Sequence, residues 1–188
     1  NSTFERNLAG VYGGAISVSN PGNANGVLGV RNSLFQFNDA PDGYSLRMSD
    51  NVGSMTVSHS AFGAPGLDGS GDATHCLGSA QASNQNAGLL PLQFGCGING
   101  VGVADFALIG SEPTLPASFP VAYDVALTSP LVDAGVTGAG NLADPAACLT
   151  SDARGQARPQ SIQFGVTPRC DIGPVEVLGP LFGDGFED

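Results

Sequence analysis

Asn32-Ser33-Leu34-Phe35-Gln36-Phe37-Asn38 is preceded by a clear copy of itself, Asn1-Ser2-Thr3-Phe4-Glu5-Arg6-Asn7, and followed by a degraded one, His59-Ser60-Ala61-Phe62. The three phenylalanines stand 31 and 27 residues apart. A period of that size marks a unit that cannot bury its apolar face alone and must stack on its neighbour. Within each unit the pattern is of short strands. Gly14-Ala15-Ile16-Ser17-Val18, Ser45-Leu46-Arg47-Met48 and Ser54-Met55-Thr56-Val57-Ser58 alternate apolar and polar, and Gly26 to Phe35 is a longer apolar stretch. Period-2 alternation predicts half-buried strands. Asn20-Pro21-Gly22-Asn23, Asp39-Ala40-Pro41-Asp42-Gly43 and Asp50-Asn51-Val52-Gly53 carry the residues that tight turns require.

Three strands in each unit of 27 to 31 residues predict an all-β chain folded as a right-handed parallel β-helix, a solenoid with a loop-rich C-terminal cap. Phe4, Phe35 and Phe62 would stack inside. Asn7 and Asn38, each three residues after its phenylalanine, would stack at a turn with amide bonded to amide. The competing reading is a β-sandwich with coincidental Asn-Ser pairs. Three regions are expected: coils over 1–104, a terminal capping module over 105–177, and an acidic tail over 178–188. Regular repetition is expected to lapse after Phe62.

The chain of 188 residues carries a net charge of −11, and all six basic residues are arginine. Such a surface repels nucleic-acid phosphate and lacks basic patches for anionic lipid. No apolar run is long enough to span a membrane as a helix. No leader is visible, and Asn1 falls in mid-repeat, so upstream coils of the same polypeptide are expected as partners. Asp68, Ser70 and Asp72 alternate as the first ligands of a calcium loop do. Ala73 and Ser79 stand where that loop needs glycine and glutamate, which favours a solvated turn. His75 beside Cys76 has no further zinc-ligand spacing around it. No metal or other cofactor is implied.

Cys76, Cys96, Cys148 and Cys170 allow three pairings. Pairing in sequence, 76 with 96 and 148 with 170, closes the shortest loops and contributes roughly 3 kcal/mol each in the chain-entropy model. Paired cysteines imply an extracellular or otherwise oxidising location.

Ser129-Pro130-Leu131-Val132-Asp133-Ala134-Gly135, then Asp152-Ala153-Arg154-Gly155-Gln156-Ala157-Arg158-Pro159, then Cys170-Asp171-Ile172-Gly173-Pro174-Val175-Glu176 form an ordered set. It resembles the terminal module of bacterial right-handed parallel β-helix surface proteins of the choice-of-anchor Q type, with Pro174 where alanine is usual. The strong part of the resemblance covers residues 105–177, and Gly13-Gly14-Ala15-Ile16 and the Asn-Ser-x-Phe units extend it upstream. The tail, with Phe182, Gly185, Phe186 and Glu187, is similar to the endings of many secreted Gram-negative proteins. The resemblance implies a structural and anchoring role. In that reading Asp133 accepts turn N–H bonds. Arg154 and Arg158 clamp Asp152 and Asp171, and Glu176 belongs to the same cap, which closes the last coil. The function expected is a secreted or cell-surface, non-enzymatic recognition surface, stalk or adhesin whose partner is an extracellular glycan or a host surface. The alternative is a carbohydrate-active enzyme, for which Asp39, Asp42 and Asp68 are the carboxylates from consecutive units.

Overall fold

A computed structural model describes residues 1–19, 27–48, 54–64, 74–78, 82–89, 94–96, 98–109, 123–140, 147–162 and 165–178. The first half runs through β1 (Thr3–Glu5), β2 (Ile16–Val18), β3 (Val27–Arg31), β4 (Leu34–Gln36), β5 (Leu46–Met48), β6 (Ser54–Ser58), β7 (Ala61–Phe62), β8 (Cys76–Leu77), β9 (Ala82–Asn84), β10 (Asn86–Leu89) and β11 (Gly100–Val103). These sort into three parallel sheets, β1-β4-β7-β10-β11, β2-β5-β8 and β3-β6-β9. Except for the consecutive pair β10 and β11, each strand pairs with its equivalent one repeat away, not with its chain neighbour. The described residues are all-β and contain no helix. Their strands form short, separate sheets and not one continuous solenoid wall.

Register follows the sequence repeat. Phe4 pairs with Phe35 and Phe35 with Phe62. Their rings stack at centroid separations of 4.9 and 5.0 Å, nearly parallel. Alternation along a strand sends the preceding residue to the other face. The middle strands of the first sheet, β4, β7 and β10, are consequently buried on both faces. On one, Phe35 and Phe62 join Leu46 and Met48 of the second sheet and Val30, Met55 and Val57 of the third in one core. On the other, Leu34, Ala61 and Ala87 meet Phe106, Tyr123, Leu131 and Ile172 from the C-terminal region in a second core.

The Asn-Ser pair has a local reason. Asn32, His59 and Gln85 take positive φ, at 45°, 51° and 49°, at the corner between one sheet and the next. Asparagine tolerates this left-handed conformation better than most residues. The following side chain then bonds the next repeat: the Ser2 N–H donates to Ser33 Oγ, Ser33 N–H to Ser60 Oγ, and Ser60 N–H to Asn86 Oδ1. At the opposite end of the strand, Asn7 Nδ2 donates to Asn38 Oδ1 at 2.8 Å, the expected amide stack.

Repetition does not lapse at Phe62. Ala87 and Gly88 pair with Ala61 and Phe62, and Gly100 to Val103 pair in turn with Asn86 to Leu89. Gly88 occupies the aromatic position, which hides this copy from a search for Phe. Phe94 supplies the missing ring instead, edge-on to Phe62 at 5.4 Å.

The C-terminal region contains β12 (Leu108–Ile109) and β13 (Asp124–Val125), which pair antiparallel, and β14 (Ala139–Gly140) and β15 (Cys148–Leu149), which pair parallel. Two disulfides join Cys76 to Cys96 and Cys148 to Cys170. They fit an extracellular or other oxidising environment. No helix long and apolar enough to cross a membrane occurs among the described residues.

Candidate functional site

Among the described residues, the C-terminal region meets the strand stack along its side, at the left-handed corner of the first three repeats. Asn1 Nδ2 donates to Ser151 O at 2.6 Å. Asn32 Oδ1 accepts the Leu149 N–H at 3.1 Å, and Asn32 Nδ2 lies 3.4 Å from Asp171 O. The Gly173 N–H donates to His59 O at 2.9 Å. Three successive repeats thus present the same corner to one partner.

The three sequence motifs converge there. Ser129 Oγ donates to Phe106 O and accepts the Leu131 N–H, shaping the turn that carries Leu131 into the second core. Gly135 lies against the stack so closely that a Cβ would stand 2.6 Å from Cys170 O and 3.0 Å from His59 Cδ2. The backbone N–H of Asp133 donates to Asp171 Oδ1 at 2.7 Å, and its φ is 52°.

Asp152 organises its own loop. Its Oδ1 accepts the N–H groups of Arg154 and Gln156, and its Oδ2 accepts the Glu176 N–H and Arg154 Nε. Arg154 does not clamp one carboxylate with its fork. It spreads over three partners: Asp152, Asp124 at 2.7 Å and the Glu176 carbonyl at 2.6 Å. Arg158 is buried. Its Nη1 and Nη2 donate to Asp171 O and Gly173 O at 2.9 and 2.8 Å, and Nη1 is 3.4 Å from Glu176 Oε2. Glu176 also accepts the Gln160 and Asp171 N–H groups. Asp171 accepts the Asp133 and Val177 N–H groups, one on each oxygen.

Burial dominates the electrostatics of the cluster. It pushes the Glu176 carboxyl up to about 7, with repulsion from Asp171 adding to it, while N–H bonds from Gln160 and Asp171 and the Arg158 charge pull back. Asp171 is pushed up to about 6 by the same loss of water, against N–H bonds from Val177 and Asp133. His59 is pushed down to about 4 by burial, then by the charges of Arg158 and Arg31.

The remaining candidates lie apart from this cluster. Asp39 is buried, and Asp39 and Asp42 bridge the main chain of Leu8 and Tyr12 one repeat away. Asp68 and Asp72 lie outside the described residues, as does the tail from 179. His75 is buried with its Nδ1 at 3.2 Å from Ser45 Oγ, an interior pair with no route to substrate. No group of three or more metal-ligating side chains is found among the described residues. An open recess at the first repeat is lined by Phe4, Ile16, Val30, Arg31 and Thr56, and no carboxylate joins its described lining. Sequence reading missed Asp124, which is remote from the motifs, and the Asn32–His59 corner. The positive-φ tolerance of Asn32 was the available signal for the latter.

No family model, curated protein or solved structure matches the chain.

Proposed function

We propose that this chain is part of a secreted or surface-exposed right-handed parallel β-helix protein that acts as a recognition surface, not as an enzyme. Its C-terminal region would be a module of the choice-of-anchor Q type. The observation that carries this reading is the use made of the charged motif residues. Asp152, Asp171 and Glu176 are buried and their oxygens accept backbone N–H groups, and buried Arg158 donates from Nη1 and Nη2 to backbone carbonyls. Groups so held fasten chain to chain and reach no substrate. Glycoside hydrolysis needs two carboxyls facing one open site about 5 to 9.5 Å apart, and Asp39 is buried.

The outer face of the second sheet suits recognition better. Alternation turns Ser17, Arg47 and Leu77 outward. The Arg47 guanidinium lies over the Tyr12 ring at 5.3 Å, and Tyr12 is about half exposed. Arg47 covers one face of that ring and its Nη1 donates to Met48 O, so a sugar would meet the ring's edge and opposite face together with the remaining guanidinium N–H groups. Tyr12 and Arg47 are therefore assigned to glycan contact.

A glycan array probed with the whole chain tests this. Binding that is lost in Tyr12→Ala and Arg47→Ala, with melting points within about 2 °C of wild type, is the expected result. Turnover of a polysaccharide, or binding indifferent to both substitutions, overturns it.

A further inference from the structure

Asp152, Asp171 and Glu176 are 4, 2 and 0% exposed, and Arg158, the one fully buried cation among them, is 5% exposed. Arg154 adds a second positive charge, but its side chain is 25% exposed and also serves Asp124, which is largely in solvent. Three buried carboxylates thus face two guanidiniums, one of them shared with an outside acid. An uncompensated charge in a water-poor site is costly, and a carboxyl relieves that cost by taking a proton. The bonds say which carboxyl can. Asp152 accepts four hydrogen bonds and is satisfied as an anion. Asp171 accepts one N–H on each oxygen, and Glu176 one on each with Arg158 at 3.4 Å.

We infer that the Asp171–Glu176 pair carries a proton near neutral pH, and that the clasp between the C-terminal region and the strand stack is tightest in mild acid and loosens as that proton leaves. The pair's raised carboxyls, at about 6 for Asp171 and about 7 for Glu176, agree with the charge count. Groups raised in the closed state bind protons there that the open state has already released. Closure is therefore favoured at low pH and weakens as pH rises from the ordinary carboxyl range through about 7. The other charged groups facing the cluster are Asp124, Asp133, Arg154 and Arg158 from the C-terminal region, with Arg31, His59 and the Asn1 amino group from the stack. His59 works in the opposite sense below pH 6.5, because burial keeps it neutral down to about 4. The Asn1 amino group, which burial pushes down from 8.0 to about 5, works in that opposite sense up to pH 8, so the carboxyl effect is read as the difference between wild type and Glu176→Gln.

Amide exchange at Gly173, which donates across the clasp to His59 O, reads the opening directly. After correction for intrinsic exchange, the ratio of the wild-type to the Glu176→Gln opening constant should rise roughly tenfold between pH 6 and 8 for the loss of one proton. A ratio that does not change with pH overturns the inference. Should the variant lose protection at every pH, the carboxyl 13C titration of wild type decides: a Glu176 midpoint near 7 supports the inference, and one at or below the ordinary 4.5 overturns it.

Discussion

Phe35 sits between two rings at about 5 Å and is completely buried. Phe35→Ala should cost roughly 3 to 5 kcal/mol, because the rings above and below are fixed by the sheet and cannot close the gap. Urea denaturation followed by fluorescence-independent far-UV CD measures it. Its role was readable from the sequence, since the phenylalanine recurs at the repeat length. Gly88, in the same row, was not readable, because a residue with no ring leaves no mark in an aromatic pattern. His75 gives a pH prediction. Burial pushes it down to about 4, so the unfolded chain takes a proton near 6.5 that the folded chain refuses. Stability is lost as pH falls from about 6.5 to 4. In His75→Phe, which keeps an aromatic body beside Phe62, the acid limb of the stability curve should flatten by one proton. Denaturant midpoints at pH 4.5 and 7 show whether it does.

At the scale of elements, the C-terminal motifs behave as one fastening with unequal parts. Arg158→Ala leaves Glu176 and two carbonyls buried without their donor, and should cost about 3 to 5 kcal/mol. Arg154→Ala leaves Asp152 with three backbone N–H donors and gives up an exposed pair with Asp124. Its cost should be about 1 to 3 kcal/mol. Thermal melts of both variants should rank them in that order, and an unshifted Arg158→Ala melt would contradict the assignment. Gly135→Ala would drive a Cβ into Cys170 O and His59. It should loosen the clasp while the Phe stack stays intact. That is visible as lost amide protection at Gly173 with protection at Phe62 unchanged. The sequence motifs identified most members of this fastening, because arginines and acids at fixed spacing rarely crowd without pairing. They could not reveal the direction of attachment. An end cap and a side clasp use the same residue types, and only the partners Asn1, Asn32 and His59 distinguish them.

For the whole molecule, the decisive feature is that the middle strands of the first sheet are covered on both faces. Strands buried on both sides read as apolar throughout, and Leu34-Phe35 and Ala61-Phe62 do. The sequence therefore contained the double burial, but not the identity of the second cover. Part of that cover comes from residues separated by more than 100 positions, such as Leu34 and Ile172 in one core. Local alternation carries no information about such partners. Two disulfides and a long acidic chain without lysine fit a protein that works in an oxidising environment. The account rests on the C-terminal region lying along the strand stack with its apolar side on the first sheet. A methyl-resolved 13C NOESY spectrum of the whole chain tests that most directly. Cross-peaks from Leu34 and Ala61 methyls to those of Leu131 and Ile172 are the predicted result. A spectrum in which Leu131 and Ile172 show contacts only within residues 105–177 would contradict it.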